Sequence, residues 1–145
     1  MFRIDYNGQW YHEGAPIKRA ALAKLFSDRA LKKDEQGNYW LQTPFEKYPV
    51  EVEDVPFLII DFEQEEEGFT LKTNMDESVP VGKDHPLFLR GEESLIYIDV
   101  RDGLHARLNR FVRESLIKAA MVQAKIDKGI LWLYSYGVDH PVGKL

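Results

Sequence analysis

The clearest structural signal in the chain is the stretch Thr43-Pro44-Phe45-Glu46-Lys47-Tyr48-Pro49-Val50-Glu51-Val52-Glu53-Asp54-Val55-Pro56-Phe57. Tyr48, Val50 and Val52 alternate with charged or proline positions, which is the period of a strand with one apolar face. Prolines bracket this strand because a residue without an N–H is poorly suited to a central ladder. The flanks carry more charge than a turn requires, and their charged residues are Glu46, Lys47, Glu53 and Asp54.

Two helices are predicted on either side of this strand. Helical spacing of apolar residues predicts a first helix at about 16–28, with Pro16 at its start. A longer apolar stripe predicts a second helix at about 103–125, with Asp102 as its N-cap. The stripe consists of Leu104, Leu108, Phe111, Val112, Ser115, Leu116, Ala119 and Val122.

The remaining apolar runs predict strands. Residues 31–33 and 38–41 are expected to form a hairpin, with Gly37 in its turn. Further strand candidates lie at 56–62, 69–73, 86–90, 95–100 and 130–136, and a short polar tail follows. This order favours an α+β fold of two small lobes with mainly antiparallel sheet and one helix each. We divide the chain into an N-terminal lobe, 1–67, and a C-terminal lobe with the long helix, 68–145, within one compact unit.

Composition narrows the classes of function. The chain has 145 residues, 44% of them hydrophobic, a formal net charge of −5 and no cysteine. Its pI is near 5.4. An acidic protein lacks the basic stripe that general nucleic-acid binding requires, and the absence of cysteine excludes thiolate chemistry and disulfides. No apolar run approaches membrane-spanning length and the N-terminus has no apolar core of a signal peptide. We therefore expect a cytoplasmic protein that does not bind membranes.

Basic residues gather around the predicted start of the second helix: Arg101, His105, Arg107 and Arg110. Cations in a first helical turn oppose the helix dipole, so an anion should compensate them. One interpretation is a bound phosphate or carboxylate held by free N–H groups and guanidinium groups. The alternative is an internal ion-pair network with Glu46, Glu53 or Asp54.

Catalytic and cofactor motifs are absent from the sequence. There is no G-x-S-x-G elbow, P-loop or G-x-G-x-x-G fingerprint. The four histidines have no metal-ligand spacing, so we predict no metal site, no cofactor and no catalytic residues. These absences disfavour an enzyme without excluding one.

Several ordered blocks resemble the bacterial family called domain of unknown function 1285, over about residues 10–136. The blocks are Gly14-Ala15-Pro16-Ile17-Lys18-Arg19, Gly37-Asn38-Tyr39-Trp40-Leu41-Gln42-Thr43-Pro44-Phe45-Glu46-Lys47, Val50-Glu51-Val52-Glu53-Asp54-Val55-Pro56-Phe57, Leu71-Lys72-Thr73-Asn74, Tyr97-Ile98-Asp99-Val100-Arg101 and Leu104-His105-Ala106-Arg107-Leu108-Asn109-Arg110. The resemblance implies two structurally related lobes, the C-terminal one similar to pleckstrin-homology folds. It supplies no reaction.

The resemblance also implies a polar cleft between the lobes that holds a small anionic, nucleotide-like ligand. It implies a sensory or regulatory role in bacterial signal transduction, with a signalling protein as a further partner. The polar residues in the matching blocks are the ones expected to line this cleft: Arg19, Glu46, Lys47, Glu53, Asp54, Thr73, Asn74, Arg101, Arg107 and Arg110.

Two other functions stay open from the sequence. A protein-interaction module would use exposed aromatic residues as anchors, with Trp10, Tyr11, Trp132 and Tyr134 as candidates. An enzyme acting on a phosphorylated metabolite would use a carboxylate as its base, with Glu46 or Asp54 as candidates.

Overall fold

The computed structural model describes all residues, 1–145, and begins with a six-stranded sheet. The sheet has the strand order β3-β2-β1-β6-β5-β4. Its elements are β1 (Phe2–Ile4), β2 (Trp10–His12), β3 (Ala15–Pro16), α1 (Ala20–Leu25), a π-helical turn (Phe26–Ala30), β4 (Leu31–Lys33), β5 (Tyr39–Gln42) and β6 (Lys47–Val52). The strand predicted from alternation is therefore β6, and Val50 on its apolar face is buried.

A second six-stranded sheet follows, with the order β10-β11-β12-β7-β8-β9, and a three-stranded sheet closes the chain with the order β13-β14-β15. The elements of this half are β7 (Phe57–Gln64), β8 (Phe69–Thr73), β9 (Ser78–Pro80), β10 (Leu87–Arg90), β11 (Leu95–Arg101), β12 (Leu104–Leu108), α2 (Arg110–Gln123), β13 (Lys125–Asp127), β14 (Ile130–Ser135) and β15 (Val138–Lys144).

The two large sheets share one topology. Each consists of two antiparallel three-stranded meanders, joined in the middle by a parallel pairing of the first and sixth strands. In the first sheet β1 runs parallel to β6, with Phe2 opposite Val50. In the second sheet β7 runs parallel to β12, with Phe57 opposite Ala106. The fold prediction of two related α+β lobes is confirmed, although α1 lies between the two meanders and α2 follows its sheet.

The second helix begins later than predicted. Residues 104–108 form β12, because the preceding Asp102-Gly103 makes a two-residue hairpin turn with φ values of 51° and 75°. Turns with two positive φ angles match the twist of the strands they join, and Asp-Gly is a preferred sequence for them. The N-cap is Asn109, whose side chain accepts a hydrogen bond from the Val112 N–H at 2.9 Å. The assignment of Asp102 as N-cap is wrong.

Three other boundaries differ from the sequence-based prediction. The first helix is shorter than 16–28, since Pro16 belongs to β3 and the helix begins at Ala20. The second sheet begins at Phe57, ahead of the division after residue 67, because β7 pairs with β8 and β12. The expected polar tail is β15, which pairs with β14 through a turn at Tyr136-Gly137.

One hydrophobic core runs through both lobes. Its 26 buried residues extend from Ile4 and Trp10 of the first sheet to Leu133 and Val142 of the third. The third sheet is fastened to β8 by Ser135, whose Oγ accepts from the Phe69 N–H at 2.9 Å and donates to the Val81 carbonyl at 2.7 Å. Neither helix combines the length and the apolar character needed to cross a membrane.

Candidate functional site

Asp54 is the centre of a polar cluster between the two large sheets. Its carboxylate accepts hydrogen bonds from Arg107 Nη1 at 3.1 Å, Arg90 Nη2 at 3.1 Å and the Tyr97 hydroxyl at 2.9 Å. Only 12% of the Asp54 side chain is exposed, and 7% of the Arg107 side chain. The alternative of an internal ion pair therefore holds for Arg107, with Asp54 as its partner.

Aromatic rings complete this cluster. The Arg107 guanidinium lies 3.5 Å from the centroid of the Tyr6 ring, which belongs to the turn between β1 and β2. This contact joins the lobes, because Arg107 stands on β12. Burial, followed by the hydrogen bond to Asp54, raises the pKa of Tyr97 to about 12. The Tyr97 hydroxyl consequently keeps its proton and remains a donor to Asp54 at neutral pH.

Arg101 also serves to hold the lobes together. It lies at the end of β11 and not beside a helix N-terminus, and His105 lies on β12, so the prediction that Arg101 and His105 surround the start of α2 is wrong. Its Nε donates to Glu77 at 3.3 Å, and its Nη2 donates to the Ser27 carbonyl at 2.9 Å. The guanidinium is thus shared between the second lobe and the π-helical turn after α1.

Thr73 and Asn74 have structural partners. The buried Thr73 Oγ1 accepts from the N–H groups of Met75 and Glu77 at 3.1 and 3.2 Å, which closes the turn after β8. Asn74 Oδ1 accepts from the Leu58 N–H at 3.2 Å, and its Nδ2 donates to the Gly8 carbonyl at 3.2 Å. Asn74 therefore links the lobes, as Arg101 and Arg107 do.

Among the remaining predicted residues, Arg19, Glu46 and Lys47 make no polar contact with the Asp54 cluster, whereas Glu53 contacts the main chain of Tyr6. Arg19 is exposed at the start of α1, and Glu46 is exposed in the turn before β6. The Lys47 ammonium lies 4.3 Å from the centroid of the Trp40 ring on the neighbouring strand. Glu53 accepts a hydrogen bond from the Tyr6 N–H.

A groove of about 470 Å³ opens beside Arg107, and we call it the arginine groove. The Tyr6-Asn7 turn of the first lobe forms one wall, and β12 with the first turns of α2 forms the other. Three arginines line it, against a single carboxylate from Glu114. Its lining is Tyr6, Asn7, Leu58, Leu95, Arg107, Leu108, Asn109, Arg110, Arg113 and Glu114.

The start of α2 adds positive potential to this groove. The Asn109 side chain and carbonyl bind the N–H groups of Val112 and Arg113. The N–H groups of Arg110 and Phe111 precede the first helical hydrogen bond and have no acceptor within the helix. Arg110 is 87% exposed, and its Nε donates to Glu114 at 3.1 Å.

Arg113 was missing from the sequence-based set. Its spacing from Arg110 supplies the signal, since residues three apart share a helix face once the helix begins at residue 110. Its Nη2 donates to the Glu93 carbonyl at 3.2 Å.

A larger cavity of about 790 Å³ lies elsewhere between the lobes, lined in part by Lys24, Asn74 and Trp10. Lys24 is already engaged there, because its ammonium bonds Asp28 at 2.9 Å and the Met75 carbonyl at 3.1 Å. No three His, Asp or Glu side chains are placed to hold a metal ion. The arginine groove has three arginines against one carboxylate, whereas the larger cavity has Lys18 and Lys24 against Asp76, so the arginine groove is the better candidate for binding an anion.

Among the proposed aromatic anchors, Trp10 is part of the core and cannot contact a partner protein. Tyr11 and Trp132 are half-buried, whereas Tyr134 is exposed.

Comparison with known proteins identifies relatives over the whole chain. A crystal structure of a DUF1285 family protein from Silicibacter pomeroyi DSS-3 is similar, with a TM-score of 0.88 and 30% identity; the match covers 99% of this chain and 80% of that one. A DUF1285 family protein from Shewanella baltica OS155 has a TM-score of 0.66 and 28% identity, covering 81% and 90%. No curated protein matches the chain.

The family descriptions divide the chain close to the boundary between the two large sheets. Residues 1–55 match the N-terminal domain of the domain of unknown function DUF1285, and residues 56–142 match the C-terminal domain of the DUF1285 proteins of unknown function. The chain belongs to the DUF1285 family.

Proposed function

We propose that the protein is a sensory or regulatory module of bacterial signal transduction that binds a small, nucleotide-like anion in the arginine groove. One observation carries the proposal: Arg107, Arg110 and Arg113 line a groove at the junction of the lobes with one opposing carboxylate. The chain as a whole has a net charge of −5, so this local excess of cations is not a reflection of composition.

The three arginines would have different tasks in binding. Arg107 is fixed by Asp54 and Tyr6 and contributes a positive field from a rigid position. Arg110 and Arg113 stand on the first turns of α2 and offer N–H donors to a phosphate. Guanidinium groups suit this task because their planar donors match phosphate oxygens in pairs.

Tyr6 supports the nucleotide-like part of the proposal. Its ring is partly exposed and lines the same groove as the arginines. A planar base can stack on an aromatic face, and such stacking is tolerant of the identity of the base. A ligand with a phosphate and a base would therefore contact both walls of the groove.

Contact with both walls provides a route to regulation. A ligand that binds one arrangement of the lobes more tightly than another shifts the population toward that arrangement. The lobes already meet through Tyr6 and Arg107, so a ligand beside this pair would strengthen their association. A signalling protein that recognises this arrangement of the lobes would then respond to the presence of the ligand.

Binding should be measured by calorimetry and thermal shift with nucleoside mono- and diphosphates, sugar phosphates and inorganic phosphate. We expect one class to bind, with affinity that falls as salt is raised. Arg110→Gln and Arg113→Gln should each weaken binding about tenfold, the usual loss for a hydrogen bond to a charged group. Arg29→Gln is the matched control, because Arg29 is exposed on the π-helical turn.

The proposal fails if no anion binds the folded protein. It also fails if Arg110→Gln and Arg113→Gln change the measured affinity no more than the control Arg29→Gln does. Arg107 is unsuitable for this test, since its removal would leave Asp54 without a main partner and confuse stability with binding.

The geometry gives no support to Asp54 as a general base. It accepts three hydrogen bonds from two guanidinium groups and a tyrosine, so it has little capacity to take a proton from a substrate. Glu46 is exposed and lies outside the residues that line the arginine groove.

A further inference from the structure

The third sheet ends on one side at an open edge. This edge is β13, which pairs with β14 alone and has Ile126 opposite Leu131. The two strands are joined by a two-residue turn, Lys128-Gly129, with φ values of 52° and 76°. Turns of this kind make the flanking residues, Asp127 and Ile130, a hydrogen-bonded pair, and such pairs alternate along an antiparallel ladder. The N–H and C=O of Ile126 therefore point away from β14 toward the open edge.

The other sheet edges are less suited to pairing with a further strand. The edge strands β3 and β9 contain Pro16 and Pro80, which lack an N–H. The edge strand β4 has the sequence Leu31-Lys32-Lys33, so antiparallel pairing with a second copy about its centre would bring lysines opposite each other. The edges β10 and β15 lie against each other, and His140 of β15 accepts a hydrogen bond from the Leu87 N–H. The edge at β13 is thus the one that combines free main-chain groups with side chains of both charges.

The sequence of β13 is complementary to itself. Antiparallel pairing of two copies about Ile126 brings Lys125 of each copy opposite Asp127 of the other. Opposite charges directly across an antiparallel pair stabilise it, and like charges destabilise it. All three residues of β13 are exposed and accessible for this pairing. Lys125 also contacts Asp139 of β15 within the chain, but its ammonium has three donors and its side chain is 55% exposed.

Exposed apolar side chains lie beside this edge. Ile126 is 59% exposed, and Met121 of α2 is 64% exposed. Both line the groove between α2 and the third sheet, so they lie on the same face of that sheet. A two-fold axis perpendicular to the sheet brings Ile126 of one copy against Ile126 of the other and removes apolar surface from water. The pairing therefore has a hydrophobic contribution in addition to its hydrogen bonds.

We propose that β13 is a dimerisation edge, at which two copies of the chain pair antiparallel about a two-fold axis at Ile126. Each Ile126 N–H donates to the Ile126 carbonyl of the other copy, and two ion pairs between Lys125 and Asp127 flank these hydrogen bonds. The two three-stranded sheets then form one continuous sheet. This interface is separate from the arginine groove, whose lining contains no residue of β13.

Sedimentation equilibrium of the full chain should show monomer and dimer in exchange between about 10 μM and about 1 mM, the weak range expected of a short interface. Ile126→Pro should abolish the dimer and leave the monomer folded, because proline is accepted on an edge strand where the N–H faces solvent. Asp127→Lys should weaken dimerisation about tenfold or more, since two attractive pairs become repulsive. Lys32→Glu is the control, because it reverses an exposed charge on a different edge strand, β4.

An exchange of charges separates pairing between chains from damage to the fold. The double variant Lys125→Asp/Asp127→Lys again places opposite charges across the axis. It should therefore dimerise more tightly than Asp127→Lys alone. A loss of dimer caused by damage to the fold would not be recovered in this way, so a folded double variant that remains monomeric would contradict the proposed register.

Cysteine cross-linking locates the axis. The chain has no cysteine, so Ile126→Cys introduces a single thiol at the axis. Directly opposed residues of a hydrogen-bonded antiparallel pair have Cα atoms about 5.5 Å apart, within the range of a disulfide. Oxidation with diamide should therefore link Ile126→Cys chains into covalent dimers faster than it links Lys32→Cys chains.

A chain that stays monomeric at about 1 mM overturns the inference. A dimer that survives Ile126→Pro, or that responds to Asp127→Lys no more than to Lys32→Glu, also overturns it, because either result places the interface elsewhere. Asp127→Lys should leave the affinity for anions at the arginine groove unchanged, since Asp127 does not line that groove. Failure of this inference is thereby distinguished from failure of the proposed function.

Discussion

His140 is a buried histidine held in its neutral form. Its Nδ1 accepts a hydrogen bond from the Leu87 N–H at 3.2 Å, so the proton resides on Nε2, which has no acceptor. Burial lowers the pKa of His140, and it also lowers the pKa of the half-buried His105. Protonation of His140 would remove the acceptor on which Leu87 depends.

Stability should therefore fall in mild acid. Because the pKa is lower in the folded state than in the unfolded state, near 6.5, the unfolded chain binds the proton first as the pH drops. The unfolding free energy should decrease below about pH 6.5. His140→Asn retains an acceptor without a titrating group, so urea unfolding at pH 7.5 and 5.5 should show a smaller decrease for this variant. The decrease in unfolding free energy that remains in His140→Asn is assigned to His105. If His140→Asn has the same pH dependence as the original protein, the assignment to His140 is wrong.

Asp54 should be a large contributor to stability. Asp54→Ala leaves the Arg107 guanidinium buried without its carboxylate, and breaking a buried pair in this way costs about 3–5 kcal/mol. Glu46→Ala is the control, because Glu46 is exposed and should change the unfolding free energy by at most about 0.5 kcal/mol. Chemical denaturation measures both. Equal changes in the unfolding free energy for the two variants would show that the ion pair makes no net contribution to stability.

At the scale of elements, the third sheet packs so closely against Gly68 that this position has no room for a side chain. A Cβ added to Gly68 would lie 2.6 Å from Ser135 Oγ and 2.5 Å from the Tyr136 ring. Gly68→Ala should therefore displace β14 and cost about 1–3 kcal/mol, as overpacking of a tight site does. Gly143→Ala is the control, because its Cβ would meet Leu131 at an ordinary 3.9 Å. Thermal denaturation should separate the two variants, and similar midpoints would refute the close approach.

Most strands could be predicted because alternation is a local property, whereas the start of α2 could not be settled by apolar spacing. Leu104 and Leu108 are four apart, which fits a helix, yet residues 104–108 also fit a strand with two buried faces. The Asp102-Gly103 turn decides between them. The strand β15 escaped prediction because it contains Pro141 and Gly143. A shift of register between Leu131 and Trp132 accommodates this segment.

The candidate site was predictable only in part. Asp54 and Arg107 were identified, but their partners Arg90 and Tyr97 are remote in sequence and come together only when β10, β11 and β12 form a sheet. Arg113 was missed because the helix was expected to begin at residue 103, which placed residues 110 and 113 about two and three turns away from the N-terminus where the anion was expected. Long-range pairing and helix register are properties of the fold, and composition does not encode them.

At the scale of the whole molecule, the two lobes should unfold together. They share one core cluster and are joined by polar contacts of Arg107 with Tyr6, Arg101 with Ser27 and Asn74 with Gly8. We expect a single thermal transition with equal calorimetric and van't Hoff enthalpies, the signature of one cooperative unit. Two resolved transitions in the calorimeter would show instead that each sheet is stable by itself.

The parallel pairing at the middle of each large sheet has a consequence for the rate of folding. Neither sheet is complete until its sixth strand returns to its first, which brings Val50 to Phe2 and Ala106 to Phe57. Contacts between residues so far apart in sequence require closure of long loops before they contribute stability, and proteins rich in them fold slowly. During synthesis, β1 must wait unpaired on one edge until β6 has been made. The time that each sheet spends incomplete is therefore set by this parallel pairing, which occurs once in each half of the chain.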